Sequence, residues 1–213
     1  MAGRLPDPPF LYPIIDIPRV PRTALRETVV ALAGAGVALM QLRAKGLPDG
    51  EFLRAACEAA AIARAAGARL VLNDRADVAR LAGADGVHVG QSDLRPSDAR
   101  KLLPGGAIVG CSTHNMEQVL EALAEPIDYL AVGPVFATSS KESPDTVVGV
   151  DFVREVRCRT RVTLVAIGGI VPENAAAVVA AGADGLAVIG GLAGRGGVEG
   201  AVERYRRAVA GLR

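Results

Sequence analysis

Hydrophobic residues along the chain fall into short runs that alternate with longer segments rich in Ala, Arg and Glu. The runs contain many β-branched residues and predict strands at Leu11–Ile15, Val37–Leu42, Arg69–Asn73, Gly86–Val89, Ala107–Gly110, Tyr129–Val132, Thr163–Ile167 and Leu186–Ile189. The segments between them predict helices near residues 23–34, 49–66, 75–82, 95–103, 115–124, 150–157, 172–181 and 198–210. Continuous apolar runs of this kind are typical of a parallel sheet covered by helices. The pattern predicts an α/β fold, a single closed (β/α)8 barrel.

A near-repeat supports this interpretation. Ala82–Val87 (AGADGV) recurs as Ala181–Leu186 (AGADGL), immediately before the fourth and the eighth predicted strands. A glycine in left-handed conformation can end a helix and turn the chain into the next strand. We therefore expect both copies to stabilise the amino-terminal face of the barrel. A doubly wound open sheet is the alternative, but the G-x-G-x-x-G loop that favours it is absent after the first strand.

Composition narrows the possible functions. The chain has 213 residues, of which 50% are hydrophobic and 22% are charged, with a formal net charge of +1. This balance argues against disorder and against binding to nucleic acid or a membrane surface. No apolar run is long enough to span a membrane, and residues 1–10 do not resemble a signal peptide, so we expect a cytoplasmic protein. Cys57, Cys111 and Cys158 lack the spacing of metal ligands, so we interpret them as reduced and structural.

No Ser- or Pro-rich linker divides the sequence. We expect residues 1–213 to form one domain, with residues 1–9 as a flexible amino-terminal extension.

Polar residues cluster where the predicted strands end, which is the catalytic face of a (β/α)8 barrel. After the second strand, the alternation of side chains places Gln41, Arg43 and Lys45 on one face. Cations in a barrel mouth are unfavourable unless an anion binds there. The alternative is that Arg43 and Lys45 are solvated loop charges.

Two aspartates follow the third and fourth strands, Asp74 and Asp93. Carboxylates next to bound phosphate are common ligands of Mg²⁺, so this pair predicts a magnesium site. The alternative is that each aspartate caps the helix that follows it. We interpret Asp77, one turn further on, as a surface residue that interacts with the helix dipole.

The fifth and sixth strands are followed by small polar side chains. Ser112 is equally compatible with ligand binding and with capping a helix, whereas we interpret His114 as a helix-start residue and His88 as a hydrogen-bonded interior residue. The loop over residues 133–149 is long enough for a functional lid. Its Thr138, Ser139, Ser140 and Lys141 suit a phosphate group, although a flexible polar loop is the alternative.

Glycines follow the seventh and eighth strands, at Gly168, Gly169, Gly190 and Gly191. Glycines in these two loops allow backbone N–H groups to approach a phosphate closely. The sequence therefore predicts two anion sites. Since it offers no nucleophile paired with a base, we expect chemistry by charge stabilisation.

Seven motifs follow one another along the chain: QLRAK at 41–45, LNDRADVA at 72–79, DGVHVGQSDL at 85–94, GCSTHNMEQ at 110–118, GPVFATSSK at 133–141, IGGI at 167–170 and GADGLAVIGGL at 182–192. Together and in this order, they resemble the motifs of the thiamine phosphate synthase family. The resemblance covers about residues 40–213. It implies a TIM barrel that joins 4-amino-2-methyl-5-pyrimidinylmethyl diphosphate to 4-methyl-5-(2-phosphoethyl)thiazole, or its carboxylated form, with release of pyrophosphate. The implied reaction is a dissociative substitution assisted by one Mg²⁺ ion.

The resemblance also implies a role for each matching residue. Arg43, Lys45 and Lys141 would be catalytic, and Asp74 and Asp93 would hold the metal. The implied substrate-binding residues are Gln41, Leu42, Arg43, Ala44, Lys45, Asn73, Ser112, Thr138, Ser139, Ser140, Lys141, Gly169, Ile189 and Gly190. The implied partners are small phosphorylated molecules, with no nucleic acid and no membrane, and a homo-oligomer is left open.

The chain departs from the family pattern at a few positions. Gly190 stands where the family usually has Ser, Ala137 where it commonly has Pro and Ser140 where it commonly has Thr. A related thiazole tautomerase is one alternative, but it carries a His where this chain has Pro134. A non-catalytic barrel that binds phosphorylated ligands is the other alternative, and Gly190 is its only support.

Overall fold

The chain folds into a closed parallel barrel surrounded by helices. The computed structural model describes residues 5–17, 19–138, 146–192 and 196–212. Its strands are β1 (Phe10–Asp16), β2 (Leu39–Arg43), β3 (Arg69–Asn73), β4 (Gly86–Val89), β5 (Ile108–Thr113), β6 (Tyr129–Val132), β7 (Thr163–Ile167) and β8 (Gly185–Val188). Its helices are α1 (Leu25–Gly34), α2 (Asp49–Ala65), α3 (Ala76–Ala82), α4 (Pro96–Leu102), α5 (Met116–Leu123), α6 (Gly149–Arg159), α7 (Pro172–Ala180) and α8 (Gly197–Val209). The strands pair in chain order and β1 closes on β8, so the predicted (β/α)8 barrel is confirmed.

Three strands extend further at their carboxyl ends than their hydrophobic runs predict. β1 continues to Asp16 and β2 to Arg43, and these two residues pair, while β5 continues to Thr113, which pairs with Val132 of β6. Polar side chains at these positions hide the strand ends from a search for apolar runs. As a result, Asp16 and Ser112 lie on strands, where the barrel fixes the direction of their side chains.

Alternate residues of each strand face two different hydrophobic layers. The inner layer fills the barrel and includes Phe10, Tyr12, Ile14, Leu39, Val71, Ile108, Tyr129, Ala131, Val165 and Ala187. The outer layer packs the barrel against its helices and includes Ile15, Leu42, Leu72, Val109, Leu130, Leu164 and Leu186. Leu5, from the segment predicted to be an extension, packs against the inner layer, whereas residues 1–4 lie outside the described part.

Glycine makes room for large rings inside this narrow barrel. A Cβ atom on Gly110 would overlap the ring of Tyr129, and one on Gly185 would lie 2.6 Å from the ring of Phe10. The interior is therefore packed by pairing a large residue with a missing side chain on the neighbouring strand, as close packing requires.

Aspartates at the amino-terminal face link neighbouring strands. Asp85, at the start of β4, accepts a hydrogen bond from the backbone N–H of Leu70 at 2.9 Å. Asp184 accepts one from the N–H of Leu164 at 2.8 Å, and Asp128 accepts one from Val109 at 2.7 Å. Asp85 and Asp184 belong to the two AGADG copies. In the same copies, Gly83 and Gly182 have φ of +64° and +107° just after α3 and α7, so the glycines turn the chain as the sequence predicts.

Within the described ranges, no helix combines the length and the hydropathy that crossing a membrane requires. Cys57 and Cys158 are exposed free thiols, and Cys111 is a buried one.

Candidate active site

A buried ion pair joins the ends of β1 and β2. Arg43 donates from Nη1 to Asp16 Oδ1 at 2.6 Å, and the two side chains are only 16% and 3% exposed. Arg43 is therefore held inside the mouth of the barrel and is not a solvated loop charge. Since one carboxylate already neutralises it, its remaining N–H groups are pre-oriented donors in a fixed fork.

Asp74 and Asp93 lie together at the ends of β3 and β4. Their carboxyl groups are within hydrogen-bonding reach of each other, and Lys45 Nζ lies 3.5 Å from Asp74 Oδ2. Neither aspartate caps a helix, because the capping positions of α3 and α4 are Arg75 and Arg95, neither of which makes a side-chain cap. The helix-capping alternative is therefore wrong for both residues.

Backbone geometry directs both carboxylates. Asp74 has φ of +63°, a left-handed conformation that costs a residue with a side chain about 1 kcal/mol or more. Its N–H donates to the carbonyl oxygen of His88 on β4 at 2.8 Å, which holds this conformation. Asp93 Oδ2 accepts from the N–H of Gly90 at 2.7 Å. Strain at a site of converging charges is typical of functional residues.

Burial and the charge of a neighbour raise the pKa of Asp74 to about 6. The largest cause is burial, followed by the hydrogen bond to Asp93 and its charge, while Lys45 acts in the opposite direction. One lysine, with a side chain 61% exposed, does not compensate two adjacent carboxylates. The pair therefore has the charge and the oxygen donors that a divalent cation would complete.

Gln41 and Ser112 lie at opposite ends of a polar chain that runs through the inner layer. Gln41 donates from Nε2 to the Tyr12 hydroxyl at 3.0 Å, and Ser112 Oγ lies 2.7 Å from His88 Nε2. Ser112 does not cap α5, because that position belongs to Asn115, whose Oδ1 accepts from the N–H of Gln118. His88 is the hydrogen-bonded interior residue that the sequence predicts.

The β7–α7 loop is built by sterics. Gly168 and Gly169 have φ of +98° and +63°, and a Cβ on Gly169 would lie 2.5 Å from the carbonyl oxygen of Ala137. Asn174 donates from Nδ2 to the Gly169 carbonyl at 3.0 Å, and the Tyr205 hydroxyl donates to the Ile170 carbonyl at 2.9 Å. These contacts from α7 and α8 fix the position of the loop and of its backbone amides.

After β8, Gly190 begins a turn of 3₁₀ helix, Gly190–Leu192, and no atom of the described residues lies within 4 Å of a Cβ built on it. Ile189 packs against the inner layer. Thr138 is half-buried, whereas Ser139, Ser140 and Lys141 lie outside the described residues.

The remaining predicted residues divide between the two faces of the strands. Asn73 ends β3 beside His88, so it shares the inner face of the mouth. Leu42 and Ala44 pack into the outer layer, so only their backbone is available to a ligand. His114 precedes the α5 cap and hydrogen-bonds through Nδ1 to the Gly133 carbonyl at 2.6 Å, a structural role next to a helix start.

Sequence reasoning does not identify three residues that lie in or beneath the mouth of the barrel. Asp16 lies one position beyond the first predicted strand, and a carboxylate ending an apolar run was the available signal. Tyr12 and Tyr129 lie within predicted strands and resemble ordinary core residues. Only the pairing of distant strands reveals that their hydroxyl groups meet.

A closed (β/α)8 barrel with charged side chains and glycine loops at the carboxyl ends of its strands is an architecture of enzymes. A family model for thiamine monophosphate synthase matches residues 11–192. The chain is 42% identical over 201 residues to a thiamine-phosphate synthase of Methanoculleus marisnigri, covering 94% of this chain and 95% of the relative. It is 47% identical over 190 residues to one of Koribacter versatilis, covering 86% and 89%.

The solved structure of a thiamine phosphate pyrophosphorylase from Pyrococcus furiosus is similar as well. It matches with a TM-score of 0.83 and 33% identity, over 94% of this chain and 95% of that one. The chain belongs to the thiamine monophosphate synthase family, and it is a transferase.

Proposed function

We propose that this enzyme joins 4-amino-2-methyl-5-pyrimidinylmethyl diphosphate to 4-methyl-5-(2-phosphoethyl)thiazole, or its carboxylated form, to give thiamine phosphate and pyrophosphate. The observation that carries the proposal is the mouth of the barrel. On one side, Arg43 is paired with Asp16, and Lys45 lies 3.5 Å from Asp74 of the Asp74–Asp93 pair. The Gly168–Gly169 loop lies on the other side, at the end of β7. Two separate anion sites suit two phosphorylated substrates.

The residues present fit a magnesium ion. Asp74 and Asp93 bring hard oxygen donors together, and the pKa of Asp74 is raised first by burial and then by the adjacent Asp93 carboxylate, which Lys45 only partly offsets. We propose that these two carboxylates hold Mg²⁺ together with diphosphate oxygens and water. Magnesium bound there would neutralise the diphosphate and assist the departure of pyrophosphate.

The diphosphate is proposed to lie over the ends of β2 to β5. Arg43, fixed by Asp16, and Lys45 would donate to its oxygens, with Gln41, Asn73 and Ser112 beside them. Lys141 is proposed to close on the same group from the β6–α6 segment. Removing one such donor is expected to reduce the rate about 10²–10³-fold, by analogy with donors that stabilise an oxyanion.

The thiazole phosphate is proposed to lie at the ends of β7 and β8. Gly169, Ile189 and Gly190 would surround it, with backbone amides as donors, and Thr138, Ser139 and Ser140 would approach from the β6–α6 segment. The C–O bond of the pyrimidine diphosphate breaks first, and the pyrimidine ring stabilises the resulting carbocation. The thiazole nitrogen then attacks that carbon. Aligning the two reactants can lower a barrier by about 7–11 kcal/mol.

We propose small phosphorylated molecules as the enzyme's partners and the cytoplasm as its location. The near-neutral net charge of +1 supports the first of these, because nucleic-acid sites are strongly basic.

One incubation tests the function. Purified protein is mixed with both phosphorylated substrates, with Mg²⁺ or with EDTA, and thiamine phosphate is measured by mass spectrometry. Product that forms with Mg²⁺ and not with EDTA is expected. Binding of both substrates without product would favour the non-catalytic barrel, and failure to bind either would overturn the assigned sites.

A further inference from the structure

A continuous chain of hydrogen bonds crosses the barrel beneath the proposed diphosphate site. Gln41 Nε2 donates to the Tyr12 hydroxyl at 3.0 Å, and the Tyr12 and Tyr129 hydroxyl oxygens are 2.9 Å apart. The Tyr129 oxygen lies 2.8 Å from His88 Nδ1, and His88 Nε2 lies 2.7 Å from Ser112 Oγ. This hydrogen-bond chain connects side chains of β2, β1, β6, β4 and β5, so it crosses the barrel interior.

Counting protons gives this chain a direction. Tyr12 accepts from Gln41, so its own proton goes to Tyr129, and the Tyr129 proton then goes to His88 Nδ1. His88 consequently carries its proton on Nε2 and donates to Ser112. The opposite direction would require Gln41 to present its carbonyl oxygen to Tyr12 and would place the His88 proton on Nδ1.

Two properties keep the tyrosines acting as neutral donors. Complete burial raises the pKa of Tyr12 and of Tyr129 well above the ordinary value, so both hydroxyl groups retain their protons. Their rings pack edge to face with centroids 5.7 Å apart, and the Tyr129 ring stacks on His88 at 5.5 Å. Gly110 leaves the space that the Tyr129 ring fills. The hydrogen-bond chain is thus held rigidly and has a defined direction.

We propose that Tyr129 is a positioning residue for the transferase reaction: its hydroxyl group selects the Nε2–H form of His88 and so directs the Ser112 hydroxyl proton towards the diphosphate. Ser112 Oγ accepts from His88, which leaves its own proton to donate into the mouth. Hydrogen bonds in a connected chain also polarise one another, which strengthens the final donor. This inference rests on the diphosphate position proposed above, but the direction of the chain can be tested without it.

Nitrogen NMR of the imidazole groups tests the direction of the hydrogen-bond chain. The protein contains only two histidines, and they are expected to be opposite tautomers. His114 donates from Nδ1 to a carbonyl oxygen, whereas His88 is expected to be protonated at Nε2. A His114→Asn variant assigns the two sets of signals. An Nδ1–H form of His88 in the wild-type protein would overturn the proposal, whatever the variants do.

Binding of inorganic pyrophosphate with Mg²⁺, measured by calorimetry, tests whether the Ser112 hydroxyl group donates to the diphosphate. Tyr129→Phe is expected to weaken binding roughly three- to tenfold, the range for one weakened hydrogen bond to a charged group. In turnover, kcat/KM for the pyrimidine diphosphate should fall by a similar factor while KM for the thiazole phosphate stays unchanged. A purely structural role for the hydroxyl would affect both substrates.

Thr113→Val is the matched control. It also removes a buried hydroxyl group from the barrel, one that donates to the Ala131 carbonyl at 3.1 Å but has no link to the chain. Its pyrophosphate affinity should equal that of the wild type. If Tyr129→Phe alters the His88 tautomer but not pyrophosphate binding, the positioning role is wrong. If the wild type binds no pyrophosphate, the proposed function fails. The tautomer of His88 still decides the direction of the hydrogen-bond chain.

Discussion

The two halves of the barrel mouth are constructed by opposite means. On the β1–β4 side, the site consists of charged side chains, with Arg43 held by Asp16 and Lys45 beside Asp74 and Asp93. On the β7–β8 side, it consists of backbone, with Gly168 and Gly169 in conformations that leave no room for a side chain. The first half depends on electrostatic balance and the second depends on shape.

This difference predicts how substitutions in each half change activity and stability. Paired carboxylates repel one another without a cation, so the β1–β4 side gives up stability to keep a site prepared for ligands. The β7–β8 side carries no such repulsion, because its donors are amides of a loop fixed by Asn174 and Tyr205. Substitutions that neutralise charge should therefore act on activity and stability in opposite directions, whereas substitutions that add volume should damage both.

Removing both carboxylates is expected to have the largest effect. Asp74→Asn with Asp93→Asn preserves side-chain size and should reduce Mg²⁺-dependent turnover at least about 10²–10³-fold, because the leaving group loses its stabilisation. Turnover across a magnesium titration is the measurement. Asp98→Asn removes an exposed aspartate paired with Lys101 and serves as the control. Full activity of the double variant at millimolar Mg²⁺ would disprove the metal assignment.

Adding one methyl group to the backbone half should have the next largest effect. In Gly169→Ala, the new Cβ would meet the Ala137 carbonyl oxygen and the Phe136 side chain, and φ of +63° adds strain. We expect KM for the thiazole phosphate to rise about 10- to 100-fold, equivalent to about 1.4–2.8 kcal/mol, with a lower melting temperature. Steady-state kinetics and thermal unfolding measure both effects. An unchanged KM would remove this loop from the phosphate site.

The single substitution Asp74→Asn should stabilise the metal-free protein. Because the pKa of Asp74 is raised to about 6, the folded state favours its protonated form, and the wild type loses stability as pH rises from about 4 through 6. At pH 7.5 in EDTA, the variant should be more stable by about 1 kcal/mol, a value that allows for solvent screening. Denaturant unfolding should show this gain disappearing towards pH 4. A gain that does not depend on pH would point to relief of backbone strain instead of charge.

Gly190→Ser should have the smallest effect. Within the described part of the chain, a Cβ at this position meets no atom within 4 Å, so these residues leave room for the hydroxyl group that is usual in the family. We expect turnover within about twofold of the wild type and an equal or lower KM for the thiazole phosphate, since one net hydrogen bond contributes only about 1 kcal/mol. A large loss would show that the loop after β8 is adapted to glycine. Together with Gly169→Ala, this variant separates a glycine required by sterics from one that is not.

Hydrophobic periodicity was sufficient to predict the barrel, because each strand is mainly apolar even where a polar residue such as Gln41 or His88 interrupts it. It also placed Asp74 and Asp93 at neighbouring strand ends. Periodicity could not show that Arg43 is neutralised by Asp16, because a residue just outside an apolar run looks like the start of a loop. The Tyr12–Tyr129 contact joins residues 117 positions apart, and no local pattern contains such a contact.

The aspartates at the opposite end of the barrel have a consequence for how the chain folds. The hydrogen bonds of Asp85, Asp128 and Asp184 span 15, 19 and 20 residues, so each closes a short loop. Loop closure becomes less favourable as the loop lengthens, and local contacts speed folding. The pairs β3–β4, β5–β6 and β7–β8 can therefore assemble as local units, while the pairing of Phe10 with Gly185 must wait for almost the whole chain. During synthesis on the ribosome, the pairs β3–β4 and β5–β6 could therefore form before β8 is made, and β8 would then pair with both β7 and β1 to close the barrel.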